Sequence, residues 1–320
     1  MDRAPLPDVP DAAPAGTAAV TPAALPLSGA AAWRRLAVWV ELTKPRVVMM
    51  VLVTTVVGYY LGATGTPDLV RLVHTLLGTA LAAGGTLALN QWMERDVDAR
   101  MERTRRRPLP EARVLPVEAF VLGCVLIVAG LAWLLATVNV LCAAVTAVIV
   151  VTYLGLYTPL KQVTPACSVV GAIPGALPPV AGFAAACDRL DPLAWVLFAI
   201  LFFWQIPHTL AISQLYRDDY ARGGIRVLPV VDRDGPSTAT HAVTNCLALL
   251  PVALLPTLLG VVGTAYFFVA LVAGLGFLWS AIGLARRGGA ADARRLLVAS
   301  LVYLPVLLAA MALDKLPLVR

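Results

Sequence analysis

The chain has 320 residues, 59% of them hydrophobic and 14% charged, with a formal net charge of +6. Soluble domains carry about 25% charged residues, and the apolar excess here lies in long blocks, so a pair of ordinary soluble domains is excluded in favour of one membrane domain. The basic balance fits a membrane surface or an anionic substrate; nucleic acid is not an expected partner, because the arginines sit between apolar blocks.

Residues 1–30 are rich in Ala and Pro and hold no long apolar run. That pattern argues against a cleaved signal peptide and predicts a disordered tail over 1–35, with a membrane domain over 36–320. The apolar blocks then fall at 47–65, 69–92, 115–136, 139–158, 166–187, 192–216, 240–261, 264–285 and 295–314. Each is near the roughly 20 residues a helix needs to cross a bilayer. The expected fold is therefore all-α, a polytopic bundle of nine transmembrane helices. With the N-terminus taken as cytoplasmic, every Lys and Arg except Arg71, Arg189, Lys315 and Arg320 falls on the cytoplasmic side. This obeys the positive-inside rule and requires an odd number of spans. The five cysteines form no CxxC pattern and read as small packing residues.

Thr43-Lys44-Pro45-Arg46 opens the first span. Lys44 and Arg46 there are candidate anion ligands, or simply a positive flank. The second block runs into Asn90-Gln91-Trp92-Met93-Glu94-Arg95-Asp96-Val97-Asp98. If the helix continues, Asn90, Glu94 and Asp98 recur at i, i+4 and i+8 and share one face as the helix leaves the bilayer. Three oxygen-bearing side chains on one face suit Mg²⁺, which takes oxygen ligands and usually a substrate phosphate. Asp96 points elsewhere and ranks second. Arg100, Arg103, Arg105, Arg106 and Arg107 follow; guanidinium forks match phosphate oxygens, although topology alone also places arginines in such a loop.

Tyr157-Thr158-Pro159-Leu160-Lys161 ends the fourth block at the same face, where Lys161 either meets a phosphate or snorkels. In the sixth block His208 lies inside an apolar run near Trp204 and Gln205. An intramembrane His is a functional candidate. Asp218 and Asp219 follow that block and are candidates for a second carboxylate set opposite the first. His74 and His241 lie near block ends without comparable neighbours.

Taken together, Thr43 to Arg46, Asn90 to Pro108, Tyr157 to Lys161, Gly171 to Gly182 and Trp204 to Val231 resemble the UbiA family of intramembrane prenyltransferases, most closely its haem-prenylating branch. The resemblance implies nine helices around a central cavity, with two acid-rich motifs holding Mg²⁺ and a diphosphate. On these positions it implies Asn90, Glu94 and Asp98 for the first motif, with Asp96 beside them, and Asp218 and Asp219 for the second. Lys44, Arg46, Arg103, Arg107 and Lys161 are then expected on the diphosphate, and His208 and Tyr157 on the acceptor. Glu94 stands where many members have Asp. Gln162 stands where many have Arg or Lys, and Thr209 where an aromatic is common. The implied substrates are farnesyl diphosphate and haem B, and the implied neighbours are the lipid bilayer of the cell's inner membrane and a haem A synthase or oxidase assembly factor. Two rival readings are a family member with an aromatic acceptor, such as 4-hydroxybenzoate or a chlorin, and a haem or ion transporter. The Trp204–His208 run and the Asp96–Thr104 stretch favour haem.

Overall fold

The computed structural model describes residues 29–232 and 235–317. Most of the expected tail, residues 1–28, lies outside the described residues. Helix α1 (Gly29–Leu42) begins inside the stretch assigned to that tail. It is too short to span and carries exposed Trp33 and Trp39 beside Arg34 and Arg35, the composition of a helix lying at a membrane interface.

The spans follow in chain order. They are α2 (Pro45–Gly62), α3 (Leu69–Asp98) and α4 (Pro116–Thr137). The fourth span combines α5 (Val140–Val151), a π-helical turn (Thr152–Tyr157) and α6 (Thr158–Leu160). The fifth combines α7 (Cys167–Ala176) and α8 (Pro178–Cys187), split where Pro178 and Pro179 interrupt the backbone ladder. Then come α9 (Pro192–Leu215), two short helices α10 (Arg217–Gly223) and α11 (Leu228–Val231), and three long helices α12 (Pro236–Leu258), α13 (Thr264–Arg287) and α14 (Ala290–Leu313). Among the described residues nine stretches are long and apolar enough to cross a membrane. Their ends differ from the sequence expectation by a few residues. The consequential difference is α3, which stays helical six residues past 92 and carries Glu94 and Asp98 with it.

Apolar side chains gain nothing by leaving lipid for a helix interface, so membrane bundles cohere by close backbone approach and internal hydrogen bonds. Small residues supply that approach here. A methyl group added at Gly58 of α2 would strike the backbone of Pro179 in α8, and one at Gly182 of α8 would strike Thr55. Gly85 of α3 and Gly123 of α4 face each other in the same manner. Outward positions stay apolar: Val121, Val125 and Val128 on α4 and Val272, Leu275 and Trp279 on α13 are all exposed, as a lipid-facing surface requires. The α7–α8 span is the most enclosed, with 72% of its apolar window buried. All five cysteines are free.

Candidate active site

Six successive spans, from α2 to α9, bring the start of α2 and the ends of α3, α6 and α9 to one face of the bundle. The site is built there. At the α1–α2 junction Lys44 adopts a left-handed conformation (φ 49°) immediately before Pro45, a backbone state that costs a non-glycine residue roughly 1 kcal/mol or more. The junction is fixed by Gln91 of α3, whose Nε2 donates to the Leu42 carbonyl (2.8 Å), and by Arg113, which pairs with Glu41 through both Nη atoms (2.6 and 2.9 Å). This turn aims the Lys44 ammonium at Asn90, where it donates to Oδ1 (3.0 Å). Burial, reinforced by the positive charge of Arg107, pulls the Lys44 ammonium down to about 7.

Asn90, Glu94 and Asp98 line one face of α3 and are 1%, 7% and 1% exposed. Each faces a cation or hydroxyl from another element. Asn90 Nδ2 donates to Thr158 Oγ1 (3.2 Å), and Thr158 donates to the Tyr153 carbonyl (2.9 Å) inside the π-helical turn. Lys161 Nζ reaches Glu94 Oε1 (2.7 Å) and lies 4.4 Å from the Tyr157 ring centre. Burial opposes charge on Lys161, yet the Tyr157 oxygen and the Glu94 carboxylate hold it well above the ordinary lysine range. Arg107 Nη1 reaches Asp98 Oδ2 (2.6 Å); it returns to α3 because Thr104 donates to the Asp98 carbonyl (2.9 Å) and folds the intervening turn. The other Asp98 oxygen, Oδ1, is buried without a hydrogen-bond partner.

These groups line a cavity of about 260 Å³ that also includes Arg103, Tyr153, Tyr157, Gln205 and Thr209. The π turn carries Tyr153 and Tyr157 into the wall with their rings 5.2 Å apart; such turns often mark functional sites. Helix α7 presents glycines to that wall. A methyl at Gly171 would strike the Tyr157 ring, and one at Gly175 the Gln205 amide.

The arrangement sets buried acids against three cations with an aromatic wall behind. The UbiA prenyltransferase family profile matches residues 51–310. The chain belongs to this family. The protoheme IX farnesyltransferase of Solibacter usitatus (strain Ellin6076) is 46% identical over 286 residues, which cover 87% of this chain and 98% of that one. The protoheme IX farnesyltransferase of Opitutus terrae is 44% identical over 284 residues, 88% of this chain and 95% of that one. Solved structures share the fold. A digeranylgeranylglyceryl phosphate synthase superposes with a TM-score of 0.75 at 14% identity, over 88% of this chain and 98% of that one. A UbiA homologue from Archaeoglobus fulgidus bound to GPP and Mg²⁺ superposes at 0.61 and 17% identity, over 86% and 99%.

Of the residues singled out in the sequence, the cavity gathers Lys44, Asn90, Glu94, Asp98, Arg103, Arg107, Tyr157 and Lys161. The other expected residues sit elsewhere. Arg46 is exposed. The Asp96 side chain is 84% exposed and 3.8 Å from Arg95. Asp218 is exposed outside the cavity. Asp219 is buried, but its oxygens are engaged: Oδ1 accepts from the Glu102 backbone N–H (2.7 Å) and from Arg222 (2.7 Å), and Oδ2 from the Arg103 N–H (3.2 Å). Burial pushes the Asp219 carboxyl up, and these three donors more than offset it, leaving it below the usual range. In this arrangement Asp219 therefore fastens the α3–α4 loop to α10 and does not face the α3 acids. Arg103 is held over the Tyr216 and Tyr220 rings (5.1 and 5.4 Å) and donates to the Tyr220 hydroxyl (3.1 Å). The two polar clusters thus do meet, through Arg103 and not through paired carboxylates.

His208 lies on another face of α9. Its Nδ1 is 2.7 Å from Ser300 Oγ, and its ring stacks on Trp204, which donates to the Ser300 carbonyl (2.9 Å). This polar node joins α9 to α14. Tyr153, Gln205 and Thr209 line the cavity although the sequence reading did not select them. Both pairs were visible as four-residue spacings, Tyr153 to Tyr157 and Gln205 to Thr209, in otherwise apolar spans.

Proposed function

We propose that this enzyme transfers a farnesyl group from farnesyl diphosphate to a vinyl group of haem B, adding water to give a hydroxyethylfarnesyl haem and releasing diphosphate. The observation that carries the reading is the α3 face, with Asn90, Glu94 and Asp98 buried beneath Lys44, Lys161 and Arg107, and an Asp98 oxygen left without a partner. The haem acceptor rests on the relatives at 44–46% identity.

The donor set fits Mg²⁺. Two carboxylates and an amide oxygen are hard ligands, and the orphaned Asp98 Oδ1 is the kind of buried acceptor that costs about 1–3 kcal/mol unless something meets it. When bound, Mg²⁺ neutralises diphosphate oxygens and makes the diphosphate a better leaving group. The chain's own cations do the remainder. Lys44, Lys161, Arg103 and Arg107 stand where charge develops as the C1–O bond of the allylic diphosphate breaks and both electrons pass to oxygen. Diphosphate draws Lys161 and Arg107 from Glu94 and Asp98, freeing those carboxylates. The allylic cation is then met by the π electrons of the vinyl group, which form the new C–C bond and leave a cation next to the macrocycle. Water adds there and gives up a proton. The aromatic rings of Tyr153 and Tyr157 and the apolar wall keep water from the first cation while offering it a π face.

We further infer that the site face is cytoplasmic, in the inner membrane, and that the product passes to a haem A synthase. The positive-inside distribution supports this orientation. Purified enzyme with farnesyl diphosphate and Mg²⁺ is expected to convert haem B, and not 4-hydroxybenzoate, to a prenylated product seen by mass spectrometry. Prenylated 4-hydroxybenzoate with unreacted haem would transfer the reading to an aromatic-acceptor enzyme.

A further inference from the structure

A second cavity, larger than the site above, lies apart from it. It is a groove of about 960 Å³ between α13 and α14, lined also by Leu215 of α9. Its walls are small and apolar: Ala273 and Gly276 on α13, and Val298, Ala299, Val302 and Val306 on α14. Tyr303, which also lines it, has a buried hydroxyl with no hydrogen-bond partner. A side chain at Gly276 would meet nothing within 4 Å, so the groove is open space at that depth.

Its head is charged. Arg294 and Arg295 line the end nearest the α13–α14 turn, at the same face of the bundle as Lys44 and Lys161. Asp292 is committed to Arg287 at 2.7 Å and reaches Arg295 only at 3.4 Å. Arg294 is exposed and makes no ion pair among the described residues. Counting Arg286, four arginines stand against one aspartate over residues 286–295. The apolar groove between α2, α3 and α4, about 480 Å³, has no charged lining residue at all. The α13–α14 groove is thus set apart by its cationic head.

We infer that the α13–α14 groove binds an anionic phospholipid of the bilayer. Its phosphate lies on Arg294 and Arg295, and its acyl chains run between the Val298–Val302–Val306 ridge and the Ala273–Gly276 face. Guanidinium groups match phosphate oxygens, and basic pockets between spanning helices at the headgroup level select acidic lipids. The lipid bridges α13 to α14 across the gap that their small residues leave. The inference is independent of the transfer chemistry, since the groove and the site cavity share no lining residue.

The test uses the full chain, delipidated in detergent and titrated with phosphatidylglycerol, with phosphatidylcholine of the same acyl chains, or with inorganic phosphate. Binding is read by native mass spectrometry and thermal unfolding. Phosphatidylglycerol is expected to be retained and to raise the unfolding temperature, with little effect from the other two. The double variant Arg294→Gln/Arg295→Gln should weaken its retention about tenfold or more. Gly276→Leu, which fills the groove and leaves the charges in place, should weaken it as well. Equal retention of both phospholipids, an equal shift from phosphate alone, or unchanged phosphatidylglycerol binding in both variants would overturn the inference. A second copy of the chain occupying the groove, seen as a dimer that Gly276→Leu dissolves, would also overturn it.

Discussion

Lys161 and Glu94 form a buried ion pair whose two sides do different things. The side chains are 14% and 9% exposed and 2.7 Å apart. Removing one partner of such a pair leaves an uncompensated charge and costs about 3–5 kcal/mol, whereas removing both costs much less. Lys161→Met is therefore expected to lower the thermal unfolding temperature markedly, and Lys161→Met/Glu94→Gln to recover most of that loss. Neither should turn over substrate, because both lack a diphosphate cation. A double variant as unstable as the single would show that the pair does not act as a unit. Asp219 gives a second test at this scale. Its ties run to the backbone of residues 102–103, so Asp219→Asn should act through Arg103. KM for farnesyl diphosphate should rise about tenfold while the Mg²⁺ concentration for half-maximal rate stays put. A rise in that Mg²⁺ requirement would make Asp219 a metal ligand after all. The Asp219 carboxyl is depressed by its donors, so its contribution to stability is complete above about pH 3.9, the ordinary Asp value, and is lost only as pH falls through the lower folded one. Protease sensitivity of the α3–α4 loop should accordingly be flat from neutral pH down to about pH 4.

At the scale of elements, α3 shows what a periodic pattern can reveal. Asn90, Glu94 and Asp98 keep a four-residue spacing, and polar residues recurring on one face of a helix are legible before any fold is known. The nine membrane-length stretches of the described residues were legible in another way, as blocks of apolar residues at bilayer length. Other features depend on partners distant in sequence and left no local sign. Asp219 meets residues more than a hundred positions away, and an acid pair at a helix end looks the same whether it faces a cavity or caps a loop. His208 was legible as an intramembrane histidine, but its partner Ser300 on α14, 92 residues on, was not. The π turn over Thr152–Tyr157 is likewise set by tertiary packing, in which Gly171 yields its space to the Tyr157 ring. Gly171→Ala is therefore expected to displace that ring, costing about 1–3 kcal/mol of stability by overpacking and lowering turnover with it. Full activity with unchanged stability would show that the tyrosine wall tolerates movement.

For the whole molecule, size and direction are the issues. The diphosphate cavity, at about 260 Å³, is below the roughly 300–1,000 Å³ of sites that enclose drug-sized ligands. It suits a diphosphate head and the first atoms of its chain. A farnesyl chain and a haem together are larger than this cavity. Nine membrane-length stretches among the described residues put Lys44 and Lys315 on opposite sides of a bilayer. Alkaline phosphatase fused after Arg320 is expected to be active and the same fusion after Lys161 inactive; the reverse result would invert the bundle. The central claim, that the α3 face ionises a prenyl diphosphate for transfer to haem, is tested most directly by Asp98→Asn. This change keeps shape and removes one charge. Wild-type and variant protein in the same bilayer discs, shown to be inserted and equally folded, would be given farnesyl diphosphate, Mg²⁺ and haem B. Farnesylated haem should form with the wild type and fall by at least about 100-fold with the variant. Formation at the wild-type rate by Asp98→Asn would contradict the site.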